Sequence, residues 1–233
     1  MDIQVSVSDI PNDDGTFNMT IDCDDVSKDF FIQQAAQLGL TLDQYMNDLL
    51  KKCATTLIDP NVPIEPFRKV SEKNGWMSNM ASYPMTHEGV EYRSSEHAFQ
   101  ALKLKDESDR KKVMAASSGM IAKKIAHTCR SFDQSVDPLQ LMYEVVKSKL
   151  NSNPTLITAL LDTGTAMIVE DVAKRQFGSN LFWGGVPDFE TNTIVRGENH
   201  LGKIFMRLRF EYRMGLHPTP VQVDPRLDQF GDS

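Results

Sequence analysis

Three prolines fall within ten residues at IDPNVPIEPF (58–67). Proline lacks a backbone N–H and pushes the residue before it out of the helical region. No helix can run through this stretch, so the chain must be organised as two pieces on either side of it. Charge divides at the same place. Residues 1–66 carry 12 Asp and Glu against 3 Lys, a net −9, whereas residues 67–233 carry 20 acids against 22 Lys and Arg, a net +2. An asymmetry of this size marks two units with different work. The acidic piece repels nucleic acid, and the remainder tolerates a phosphate-bearing ligand. The expected division is an N-terminal unit over 1–57, a linker over 58–66, a main domain over 67–213 and an irregular, Pro-rich tail over 214–233.

The N-terminal unit reads as strand, helix, helix. TFNMTI (16–21) alternates as a short strand. SKDFFIQQAAQLGLTLDQYMNDLLKKCA then reads as two helices broken at Gly39. Thr41 is the expected N-cap of the second, with Leu42, Tyr45, Met46, Leu49 and Leu50 as its apolar stripe. This order weakly resembles ribbon-helix-helix proteins, whose dimers read DNA with a two-stranded ribbon. The candidate strand holds no Lys or Arg, which argues against DNA reading and for a small docking or dimerising unit, or for a plain packing extension.

Composition excludes several classes. No apolar run reaches the ~20 residues that span a bilayer, and the start MDIQVSVSDI lacks the basic and apolar regions of a signal peptide. A cytoplasmic protein without a membrane partner is expected. Cys23, Cys53 and Cys129 form no CxxC pair and are odd in number, and five scattered histidines make no compact ligand pattern. Neither a metal nor a redox cofactor is expected.

In the main domain the chemistry concentrates in SSEHAFQALKLK (94–105). Ser94 or Ser95 suits an N-cap, and Glu96 complements the positive end of the helix dipole. At about 100° per residue, Glu96, Gln100 and Lys103 share one face while Ala98, Phe99, Ala101 and Leu102 take the other. That row is either an ordinary solvated face or an acid, an amide and a cation aimed at one ligand. His97, beside it, either orients a neighbour or is a satisfied, half-buried histidine. LLDTGTAMIVE (160–170) reads as a helix ended near Gly164 and a short buried strand. Trp183, followed by Gly184 and Gly185, can stack on a planar ring or fill the core. In RGENHLGKIFMRLRFEYR (196–213), Leu201, Ile204, Phe205, Leu208 and Tyr212 mark the core face of a helix, and Arg207, Arg209 and Arg213 a solvated one.

The order of the pieces is more informative than any one of them. WMSNMASYP, SSEHAFQALK, LLDTGTAMIVE, FWGG and GENHLGKIFMRLR, in that sequence over about 65–211, resemble the NADAR, or YbiA-like, family. The resemblance implies an α+β domain, predominantly helical with a few short strands. It implies an N-glycosidase acting on a nucleotide-like substrate, either a phosphorylated ribosylamino-pyrimidine of riboflavin synthesis or ADP-ribosylated guanine in DNA. Glu96 is then the catalytic carboxylate, with Asn79, Lys103, Trp183, Gly184 and Asn199 lining the substrate pocket. Lys103 would hold phosphate or tune Glu96, Trp183 would stack on a base, and Asn199 would hydrogen-bond sugar hydroxyls.

Two departures from the family pattern bear on catalysis. Its members commonly carry Asp three residues before the WG tryptophan, and this chain has Asn180, an amide that orients a water but is no base at neutral pH. The connector VPDFETNTIV is also longer than usual, which brings Asp188 and Glu190 forward as compensating acids. Without compensation, the alternative is a weakly catalytic or non-catalytic sensor of ADP-ribose or a nucleotide.

Overall fold

The structure, a computed structural model, describes residues 3–7, 19–23, 25–46 and 62–217. Its contacts divide the chain into two units, Met1–Pro60 and Asn61–Ser233. The tail from 218 onward lies outside the described residues.

In the first unit, β1 (Ile3–Val7) pairs antiparallel with β2 (Met19–Cys23), Ile3 opposite Cys23 and Val7 opposite Met19. One chain completes this hairpin without a partner, and β1 is a strand the sequence reading passes over. α1 (Asp25–Gln37) follows and ends at Gly39, whose φ of +69° only glycine adopts freely. A second helical stretch is described over 42–46, and Leu49, Leu50 and the lysines beyond it lie outside the described residues. Thr41 caps this second helix reciprocally: its Oγ1 accepts from the Gln44 N–H at 3.2 Å, and Gln44 Oε1 accepts from the Thr41 N–H at 2.9 Å. Phe31, Ala35 and Tyr45 are buried between the two helices.

The second unit begins with β3 (Ile64–Phe67), which forms a parallel two-stranded sheet with β6 (Met167–Glu170), Phe67 opposite Glu170. The expected linker is therefore shorter, since Ile64–Pro66 already belong to the domain. Pro66 is tolerated because a two-stranded sheet leaves an edge where no N–H is needed. A short hairpin, β4 (Met85–His87) and β5 (Val90–Tyr92), leads into α2 (Ser95–Leu102). α3 (Glu107–Met114), α4 (Gly119–Thr128), α5 (Pro138–Ser152) and α6 (Pro154–Leu161) complete the crossover to β6. α7 (Ser179–Trp183), the antiparallel hairpin β7 (Gly185–Asp188) and β8 (Thr193–Gly197), and α8 (His200–Arg213) close the domain. The result is the expected α+β architecture. Among the described residues no helix is long and apolar enough to cross a membrane.

Two apolar clusters organise this unit, and α2 lies between them. Phe99 joins Phe67, Met142, Ile168, Leu201 and Phe205 in the first, while Ala98 and Ala101 join Met85, Val113, Ala122 and Val145 in the second. Every residue from Ser95 to Ala101 is consequently buried. The row holding Glu96 and Gln100 is no solvated face, because a second layer of structure covers it.

The arginines of α8 divide in the same way. Arg209 is buried and donates to Thr163 Oγ1 at 2.7 Å and to the Ala166 carbonyl at 2.8 Å. Arg213 donates to the Gly164 carbonyl at 2.7 Å. Two of the three arginines read as solvated thus tie down the TG turn after α6. Arg207 and Arg213 remain exposed as expected, Arg207 pairing with Glu211 at 2.7 Å across one helical turn.

Candidate active site

Local chemistry fixes Glu96 at the start of α2. Ser94 is the N-cap, accepting from the His97 N–H, and the Ser94 hydroxyl donates to His97 Nδ1 at 2.8 Å. His97 Nε2 donates to the Ala116 carbonyl at 3.1 Å, so both ring nitrogens are used and the histidine is structural. The Glu96 N–H donates to the Asn79 carbonyl at 3.0 Å, which ties α2 to the loop carrying the SNM motif. Gln100, one turn on, donates from Nε2 to Glu96 Oε1 at 2.7 Å. Glu96 is only 5% exposed, and Gly119 packs against it so closely that a Cβ there would lie 3.0 Å from Glu96 Cβ. Gln100 orients the carboxylate, while the backbone bond to Asn79 and the Gly119 contact fix the turn that carries it.

It faces a cavity of about 310 Å³. Glu96, Phe99 and Gln100 form one wall, and Ser78, Asn79 and Met80 form another. Asn180 and Trp183 come from α7, Lys123 from α4, and Arg68 and Lys69 from the segment after β3. Glu170, the last residue of β6, and Arg175 complete the polar lining. The cavity thus sits at the carboxyl ends of two parallel strands, where open α/β sheets place their ligands. Buried acceptors point to what it holds: Asn79 Oδ1 and Gln100 Oε1 both lack a partner among the described residues. The direction of the Gln100 amide is set by chemistry, since its N–H must face the carboxylate. Beside Glu96, these acceptors suit hydroxyls or a water.

The loop holding Asn79 is fixed from below. Lys149 of α5, wholly buried, donates to the carbonyls of Trp76 and Ser78 and lies over the Tyr83 ring. Burial alone pushes its pKa down to about 7.

Of the residues expected in the pocket, Glu96, Asn79, Asn180 and Trp183 line this cavity. Trp183 does so while packing edge-on against Phe99 and Phe182, at 5.5 and 4.9 Å between ring centres, so it serves both the core and the site. Lys103 does not line it. Its ammonium lies 4.2 Å from the centre of the Phe99 ring, and burial lowers its pKa against the opposing pull of Glu96. Asn199 is fully buried with its amide committed, accepting from the Glu170 N–H at 3.1 Å and donating to the Ile168 carbonyl at 2.9 Å. It clamps β6 rather than meeting sugar hydroxyls. Gly184 is a packing residue, since a Cβ there would lie 2.6 Å from the Glu170 carbonyl oxygen.

The long connector supplies no acid to the cavity. It folds into the β7–β8 hairpin, where Asp188 caps the turn by accepting from the Glu190 N–H at 2.9 Å. Hydrogen bonds from Thr191 and the Glu190 backbone hold the Asp188 carboxyl below its usual range, and Glu190 is exposed. The second acid is instead Glu170, which the sequence reading passes over as the end of a strand. Its side chain is 22% exposed and its nearest cation, Arg175, is 4.0 Å away. Burial pushes its pKa up to about 7, with the neighbouring Glu96 adding to the rise and Arg175 and Lys123 opposing it.

Comparisons with known proteins bear on the family of this domain. The NADAR domain model matches residues 66–213. The N-glycosidase YbiA of Escherichia coli K12 is 30% identical over 147 residues, which cover 61% of this chain and 84% of the relative. A riboflavin biosynthesis protein of Vibrio vulnificus, VVA0006, is 28% identical over 148 residues, 62% of this chain and 37% of the relative. The NMR structure of E. coli YbiA superposes with a TM-score of 0.54 at 29% identity, covering 66% of this chain and 87% of that one. Motif order and fold converge, and the chain belongs to the NADAR domain family.

Proposed function

We propose that this hydrolase of N-glycosyl compounds cleaves the bond between ribose and a base in a phosphorylated, nucleotide-like substrate, with Glu96 as the carboxylate that faces the reacting sugar. The observation that carries this reading is the immobilised Glu96 in a cavity that also gathers Arg68, Lys69, Lys123 and Arg175. Breaking a C–N glycosidic bond builds positive charge on the ribose, and a fixed carboxylate stabilises that charge or activates the attacking water. Four cations around two acids suit a ligand bearing phosphate. The unpartnered oxygens of Asn79 and Gln100 suit the ribose hydroxyls or the water.

Two substrates fit: a ribosylamino-pyrimidine phosphate, in keeping with the Vibrio relative's name, and ADP-ribosylated guanine in DNA. Incubating the full chain with each, and following released products by mass spectrometry, separates them. Free aminopyrimidine with ribose 5-phosphate supports the first, and ADP-ribose released from DNA supports the second. Cleavage of neither contradicts the reading and leaves a nucleotide sensor in its place.

A further inference from the structure

We propose that Glu170 is the general acid of this site, giving its carboxyl proton to the base nitrogen as the glycosidic bond breaks; the inference rests on the N-glycosidase reading above. A poor leaving group needs that proton, and a group already protonated near the working pH supplies it best. Geometry singles out Glu170. Glu170 and Glu96 line the same cavity from different elements, β6 and α2, so the two carboxyls can address one substrate from different walls. Position is enforced through the backbone, because Asn199 Oδ1 accepts from the Glu170 N–H while the same amide holds the Ile168 carbonyl. Gly184, whose N–H is in turn bonded to the Asn180 carbonyl, allows the WGG turn to press against the Glu170 carbonyl.

Among the described residues, no group donates a hydrogen bond to this carboxyl. Arg175, at 4.0 Å, stands at the outer limit of an ion pair and is itself largely exposed, so it does not neutralise a buried charge. By contrast, the Glu96 carboxylate accepts an amide proton at 2.7 Å. The charged groups facing Glu170 are Glu96 of α2, Lys123 of α4, Arg175 of the segment before α7, and Arg68 and Lys69 after β3. Burial dominates this set and keeps Glu170 protonated up to about pH 7. Two carboxyls in unlike environments can divide the roles of acid and base.

The step balances as follows. The C1′–N bond breaks with its electron pair passing to nitrogen, and the Glu170 proton moves to that nitrogen. A water oxygen bonds to C1′, and the proton it loses passes to the Glu96 carboxylate. Exchange with solvent returns both carboxyls to their starting states. The net change is the addition of one water across the bond.

The test uses the full chain, its Glu170→Gln and Glu170→Asp variants, and a ribosylamino-pyrimidine phosphate and ADP-ribosylated guanine in DNA as probes. Carboxyl titration followed by NMR on glutamate-labelled protein should show one group titrating near pH 7 that is missing from Glu170→Gln. The pH profile of kcat/KM should fall as pH rises through the same value, because the acid must be protonated. Glu170→Gln should lose about a hundredfold or more in turnover and lose that limb, whereas Glu170→Asp should keep the limb at lower activity. A Glu170 that titrates in the ordinary carboxylate range overturns the proposal. So does a folded Glu170→Gln with wild-type turnover and an unchanged profile, and this outcome leaves the N-glycosidase reading standing. A wild-type chain that releases no product from either probe defeats that reading and the acid role together.

Discussion

At the scale of single residues, the site depends on how burial treats two glutamates. Glu96 is legible in the sequence through the order of motifs that resembles the NADAR family, whereas the capping serines, the Glu–His pair and the Gln one turn later by themselves mark only a helix start. Glu170 is not legible. Its environment is assembled from segments a hundred residues apart, and nothing in MIVE shows that a cavity will close over its last residue. Asn199 misleads for a related reason. A φ of 52° at the head of α8 turns its amide inward onto β6, where both of its polar atoms find backbone partners. The environment of Glu170 also has a thermodynamic signature. Its folded pKa lies above the ordinary value of 4.5, so the folded chain binds this proton more tightly than the unfolded one. The stability it contributes is intact below about pH 4.5 and is lost as pH rises to about 7. Glu170→Gln removes that loss. Urea unfolding should therefore find the variant more stable than the wild type at pH 8, by up to about 3 kcal/mol, with the difference narrowing to under about 1 kcal/mol at pH 5. A variant less stable than wild type at both pH values would contradict the burial account.

At the scale of elements, helical periodicity identifies α2 and α8 but not what covers their polar sides. The Glu96–Gln100 row looks solvated on a helical wheel because the wheel does not include α4, β6 and the loop at Asn79 that enclose it. Arg209 was misread for the same reason. A carbonyl and a hydroxyl from the TG turn compensate its burial, and neither is near it in sequence. The connector after Trp183 shows the converse. Extra length between two motifs invites a catalytic role, yet Asp188 is committed to its own turn and β7–β8 holds Glu190 at the surface. Asp188→Asn and Glu190→Gln should therefore each leave turnover within about twofold of wild type, as surface changes do. A tenfold loss from either, in a folded protein, would restore the connector as a source of the second acid.

At the scale of the molecule, contacts divide the chain between Pro60 and Asn61, within the proline-rich stretch where the charge also changes. Strand β1 was hidden by its short length and by the acidic sequence that follows it. Every described residue that lines the cavity belongs to Asn61–Ser233. A chain beginning at Asn61 should therefore fold and retain the turnover of the whole, which matched kinetic and melting measurements would check. Turnover that disappears with the first 60 residues would assign them a part in the site. The central claim, that Glu96 stabilises the charge developing on the ribose, is tested most directly by Glu96→Gln in the full chain. Binding of a non-hydrolysable analogue of whichever probe the wild type cleaves should remain within a few-fold, because the amide keeps the shape of the carboxylate. Turnover should fall by about a hundredfold or more. A folded Glu96→Gln that releases the base at the wild-type rate would contradict the account.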